Sequence, residues 1–89
     1  MPPIVYSVIL LDRAQRDIAV LPIKDLRRIG RIIDELKENP RPIGIKALKG
    51  DLKDHFRIRV GDYRVVFQID DKLARVTVTK IGHRREIYR

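Results

Sequence analysis

The stretch FRIRVGDYRVVFQI, residues 56–69, carries three arginines at alternating positions on either side of a Gly-Asp pair. If Gly61-Asp62 is a two-residue turn, Val60 lies opposite Tyr63 and the pairing runs outward as 59/64, 58/65, 57/66 and 56/67. Phe56, Ile58, Val60, Tyr63, Val65 and Phe67 then share one face, while Arg57, Arg59 and Arg64 share the other with Val66 and Gln68. Arg59 would stand directly across from Arg64, a like-charge pairing that costs up to about 1 kcal/mol. A water-facing strand can carry arginines that splay into solvent. An anion-binding face needs the same residues for another reason, because guanidinium forks present several donors to phosphate oxygens.

A second chemical stretch closes the chain. KIGHRREIYR, residues 80–89, holds His83, Arg84, Arg85 and Tyr88. Imidazole and phenol have reference pKa values of about 6.5 and about 10, so His83 and Tyr88 are the residue types of this segment suited to acid–base work. Terminal residues often fray, but Ile87 and Tyr88 supply apolar surface that could dock this end. With strand 4 beside strand 3, Arg84 and Tyr88 would reach the arginine face, and Gly82 would permit a sharp change of direction.

These groups must be positioned by elements that 89 residues can build around one modest core. PIVYSVILL (3–11) reads as a strand. Asp12 is a candidate N-cap with Gln15 three residues on, opening a helix to about Leu21 that Pro22 stops. A second helix runs from Lys24 to Glu38, with Leu26, Ile29, Ile32, Ile33 and Leu36 at helical spacing. RPIGIKALKGDLKD (41–54) reads as a loop. The remainder alternates as three strands, with turns at Gly61-Asp62 and Asp70-Asp71-Lys72 and strand 4 over about Leu73–Ile81. The expected fold is α+β in the order β-α-α-β-β-β, a single domain over residues 1–89. Its helical hairpin packs on one face of a four-stranded, mainly antiparallel sheet, with a short C-terminal segment.

The net charge is +8, and residues 44–89 hold twelve Lys/Arg against six Asp/Glu. A basic excess gathered in one half points to a polyanionic partner. The absence of cysteine excludes a disulfide framework and a thiolate metal site, and suits a reducing cytoplasm. No apolar run reaches the roughly 20 residues of a membrane span. Walker, GxSxG and HExxH motifs are absent. Asp70-Asp71 reads as turn chemistry rather than a metal site, and no cofactor is called for. Lys24, Arg27, Arg28 and Arg31 read as the solvated face of helix 2.

Taken together, the helical hairpin, the KALKGDL loop, the RIRVGDYRVVFQI hairpin and the KIGHRREIYR ending resemble a RelE-type toxin of the RelE/ParE superfamily. The resemblance covers nearly the whole chain, and GDYRVVF followed by IGHRREIY is its most specific part. It implies a toxin of a type II toxin–antitoxin system that cleaves mRNA in the ribosomal A site without a metal. The implied partners are the ribosome, mRNA and a RelB-like cognate antitoxin in a heterotetramer or other hetero-oligomer. Operator DNA would be met only through the antitoxin, and no membrane is involved.

The same resemblance assigns Arg57 and Arg59 to two basic positions that are often lysine in the family. It assigns Arg64 to the strand 3 arginine that contacts the scissile phosphate, Arg84 to the arginine of the C-terminal segment, and Tyr88 to an aromatic that stacks on or orients a base. His83 lies where some members have another basic residue. Lys46, Lys49, Lys53 and Arg85 become contacts to RNA or the ribosome.

In the implied reaction the 2′-OH attacks the adjacent phosphodiester, and converging arginines stabilise the added charge. Arginine is a poor proton-transfer group, which leaves His83 and Tyr88 as acid–base candidates, with His55 behind them. Two other functions fit the same fold: a ParE-like DNA gyrase inhibitor, and a non-catalytic homologue kept for antitoxin binding and corepression.

Overall fold

The structure, a computed structural model, describes residues 4–83. Its elements run in chain order β1 (Ser7–Leu10), α1 (Asp12–Ala19), α2 (Ile23–Glu38), β2 (Lys46–Ala47), a 3-10 turn (Gly50–Leu52), β3 (Phe56–Val60), β4 (Tyr63–Asp70) and β5 (Arg75–His83). The sheet order is β1-β5-β4-β3-β2, with β1 parallel to β5 and the other neighbours antiparallel. The expected α+β architecture is present, with one strand more than the four anticipated. Lys46 and Ala47 leave the 41–54 loop long enough to pair with Arg57 and Phe56 at the sheet edge.

Helix α1 begins one residue earlier than a cap at Asp12 would require. The pairing of β1 along β5 continues until the Leu11 N–H donates to Val78 O at 3.0 Å, so Leu11 is the last extended residue and becomes the N-cap. Asp12 sits inside the first turn, where a carboxylate complements the helix dipole. Gln15 does not close a capping box: its Nε2 donates to Leu10 O at 3.0 Å. Pro22 both ends the first helix and caps the second. Its carbonyl accepts from Leu26 N at 2.9 Å, and its missing N–H is one that a helix start leaves unpaired anyway.

The helical pair buries Ala14, Ile29, Ile33 and Leu36 against Ile58, Val60, Val65, Phe67, Val76, Val78 and Ile81 of the sheet. Full burial of one such large side chain is worth about 1.5–3 kcal/mol. Phe67 is wholly enclosed, with the Phe56 ring centroid 6.1 Å away. Gly61 takes φ 62 while Asp62 keeps an ordinary negative φ, the sign pattern of a type II′ hairpin turn.

Strand β5 differs from expectation at both ends. Asp70 Oδ1 accepts from Leu73 N at 3.0 Å and Ala74 adopts φ 49, so the turn consumes Leu73 and the strand starts at Arg75. At the far end Gly82 does not redirect the chain: it remains in the strand, paired with Arg64, and His83 pairs with Tyr63. Between these ends the register slips. Phe67 pairs with Val78 but Val66 with Lys80, which leaves Thr79 as an extra residue, a β-bulge. The Thr79 hydroxyl donates to Val66 O at 3.3 Å and ties the bulge to β4.

Candidate nucleic-acid interface

The hairpin register matches the turn-based pairing: Phe56↔Phe67, Arg57↔Val66, Ile58↔Val65, Arg59↔Arg64 and Val60↔Tyr63. Arg57, Arg59 and Arg64 therefore occupy the sheet face turned away from the helices. Lys46 pairs with Arg57 and lies on the same face, extending it onto β2. One row across the sheet reads Lys46, Arg57, Val66, Lys80, and the next reads Arg59, Arg64, Gly82.

This face is not a set of loose surface arginines. Arg57 is 8 % exposed and Arg64 5 %, whereas Arg59 is exposed. An Nη of Arg57 donates to Gly44 O at 3.4 Å, so the 41–54 loop folds over one flank. Among the described strand residues of this face, the one carboxylate is Asp70. It stands opposite Arg75, six residues along β4 from Arg64, or roughly 20 Å at the rise of a strand. Like-signed guanidinium groups packed this closely make a strongly basic surface, with donor geometry suited to phosphate oxygens.

The bulge decides which C-terminal residues join the face. Beyond Thr77, unbroken alternation would put Thr79, Ile81 and His83 with the arginines and Lys80 under the helices. The extra residue inverts that phase. Ile81 enters the core and Lys80 joins the arginine face. His83 is carried to the helix side, where its ring meets Tyr63 edge-on at 5.8 Å between centroids. There it lines a cavity of about 330 Å³ with Asp17, Val20, Leu21, Tyr63, Ile81 and Gly82. The structure thus does not bring His83 to Arg57, Arg59 and Arg64, contrary to its expected place among them.

Of the other sequence candidates, Lys49 and Lys53 flank the 3-10 turn and are exposed, as is Lys46. His55 is half-buried before β3, its Nδ1 3.3 Å from Lys53 O. Arg84, Arg85 and Tyr88 lie outside the described residues. Lys80 is the residue that sequence reasoning passed over. Its place in the β5 pattern predicts a helix-facing position, and only the slipped pairing reveals otherwise.

The perturbed ionisations lie elsewhere, at the β4–β5 turn. Asp71 accepts from Tyr6 Oη at 2.6 Å and takes a two-pronged contact from Arg41, at 3.1 and 2.9 Å. The Arg41 hydrogen bonds, then that of Tyr6, hold the Asp71 carboxyl below its usual range. The same bond to Asp71 raises the Tyr6 phenol above its own. This exposed clasp joins the approach to β1, the segment after α2 and the sheet. It is architecture, not reaction chemistry.

A helical hairpin backing a five-stranded mixed sheet with a basic outer face defines a small α+β domain suited to a polyanionic partner. The sequence model described as the ParE toxin of the type II toxin–antitoxin system, parDE, matches residues 8–88. The chain belongs to the RelE/ParE superfamily of type II toxin–antitoxin toxins, as a RelE-type member. It is 38% identical over 85 residues to Toxin RelE of Mycobacterium tuberculosis, covering 94% of this chain and 87% of that protein. It is 33% identical over 85 residues to Toxin RelG of the same organism, covering 94% and 97%. Among solved structures it superposes on the toxin–antitoxin complex RelBE2 of M. tuberculosis with a TM-score of 0.80 and 31% identity, covering 90% of this chain and 99% of that one.

Proposed function

We propose that this toxin is a metal-independent endoribonuclease that cleaves mRNA on the ribosome, with Arg57, Arg59 and Arg64 holding the scissile phosphate. The observation that carries this reading is the Arg59–Arg64 pair, set beside the buried Arg57 on the sheet face turned away from the helices. In-line attack by the 2′-OH forms a 2′,3′-cyclic phosphate and expels the 5′-oxygen, and fixed guanidinium charge offsets what builds up on phosphorus. Arg84 and Tyr88 complete the site in this proposal, Arg84 at the phosphate and Tyr88 against a base. Lys46, Lys49, Lys53 and Arg85 hold RNA and ribosome.

Guanidinium groups stabilise charge but move protons poorly. Such a site relies on the ribosome to align the 2′-oxygen for attack, since orientation alone supplies a large share of a barrier. Cleavage of free RNA is accordingly weak, and the site of action is the cytoplasm. A RelB-like antitoxin encoded beside the toxin neutralises it by covering the basic face, in a hetero-oligomer through which operator DNA is reached. The RelBE2 complex among the structural neighbours supports that partner.

The testing experiment is induced expression with mapping of mRNA 5′ ends. Cuts within codons of translated messages are expected, and purified protein should cut ribosome-bound mRNA far faster than free mRNA. The parDE name of the matching family favours a second reading, gyrase inhibition, which predicts intact mRNA with arrested replication. A corepressor without enzymatic activity would produce neither effect.

A further inference from the structure

The bulge at Thr79 moves a lysine onto the arginine face beside β4, and its placement has a chemical use. Bulges re-aim side chains and recur beside active sites. Here the extra residue places Lys80 opposite Val66 and two positions before Gly82, the partner of Arg64. Diagonal neighbours of this kind lie about 7–8 Å apart at Cα, within reach of long side chains. Gly82 puts no side chain of β5 directly across from Arg64. The other lysine of the face, Lys46, is exposed on the edge strand two strands from β4, about 10 Å away at ordinary strand spacing. Lys80 is half-buried, and β5 adjoins β4 directly.

The proposed cleavage needs a proton on the departing 5′-oxygen, and the arginines are ill-suited to give one. Resting on the nuclease reading, the geometry points to Lys80 as the proton donor to the leaving group. The 2′-oxygen–phosphorus bond forms as the phosphorus–5′-oxygen bond breaks. The 2′ proton passes to water, the Lys80 ammonium gives its proton to the 5′-oxygen, and Lys80 is reprotonated from solvent. Proton balance is kept with water as the sole co-reactant.

The test compares wild type, Lys80→Arg and Arg64→Ala in single-turnover cleavage of ribosome-bound mRNA. The mRNA carries either an ordinary phosphodiester or a 5′-bridging sulfur at the cut site. Lys80→Arg keeps the positive charge but replaces the ammonium by a far weaker acid. It should cut the ordinary message roughly 10²-fold more slowly, at the low end of general acid–base contributions, while ribosome binding holds. A thiolate leaves without a proton, so the sulfur substrate should restore Lys80→Arg to the wild-type rate and leave Arg64→Ala slow. Undiminished cleavage of the ordinary message by Lys80→Arg overturns the assignment, and so does an equal loss on both substrates. Absence of cleavage by the wild type overturns the nuclease reading itself, and this assignment with it.

Discussion

Arg59 and Arg64 stand directly opposite each other in the β3–β4 hairpin, Arg64 buried and Arg59 exposed. Like charges at a cross-strand pair repel, and on the proposed reading a bound phosphate offsets that repulsion. Replacing Arg59 by Ala should therefore separate the two properties. The melting temperature should hold or rise, reflecting relief of up to about 1 kcal/mol of cross-strand repulsion. Cleavage of ribosome-bound mRNA should fall about 10²-fold, the usual loss on removing one preorganised donor from a developing charge. Thermal melts and primer extension on the same preparations check both, and a stabilised variant with full activity would remove Arg59 from the site.

His83 gives the opposite expectation. Its ring packs against Tyr63 on the helix side of the sheet. His83→Gln should keep most of the cleavage rate, well short of the 10²–10⁴-fold loss that a general acid or base would show. It should lower the melting temperature modestly through lost packing. A rate collapse with an unchanged melt would return His83 to the chemistry.

The Tyr6–Asp71–Arg41 clasp makes stability depend on pH at both extremes. The folded-state pKa of Asp71 is depressed, chiefly by the Arg41 hydrogen bonds. Its contribution is thus present above the unfolded carboxylate value of about 3.9 and lost as pH falls through the lower folded value. The folded-state pKa of Tyr6 is raised, chiefly by its bond to Asp71. Its contribution is present below the unfolded value of about 10 and lost as pH rises through the higher folded one. Melting curves of wild type and Asp71→Asn should differ at neutral pH and converge in acid; Tyr6→Phe should converge with wild type in alkali. Constant gaps across the whole range would show that the clasp adds nothing.

Gly61 should resist substitution for a backbone reason. At φ 62 an L side chain is strained, and the new Cβ would lie 3.3 Å from an Nη of Arg28. That guanidinium is the end of a flexible chain and can move, so the strain decides the outcome. Gly61→Ala should cost about 1–2 kcal/mol, read by denaturant titration. Asp62→Ala, at a residue of ordinary φ, should cost less.

The local parts of the fold were legible because they obey short-range rules. Apolar spacing marked both helices. The Gly61-Asp62 turn set the register of β3 on β4, and with it the common face of Arg57, Arg59 and Arg64. Less legible was whatever rests on pairing between distant segments. The parallel union of β1 with β5 set the start of α1 directly after Leu11, and the two-residue β2 exists only because Arg57 and Phe56 offer it an edge.

The amino-acid sequence by itself determined the composition of the site: a basic hairpin face and a basic ending in one small α+β domain. Only the tertiary structure decided that Lys80 faces the arginines and His83 does not. Alternation along a strand predicts a side chain's face only while the ladder stays regular, and one inserted residue exchanges every face beyond it. Thr79 is that residue. Its effect becomes visible only once β5 lies against β4, where Val66 meets Lys80 and Tyr63 meets His83.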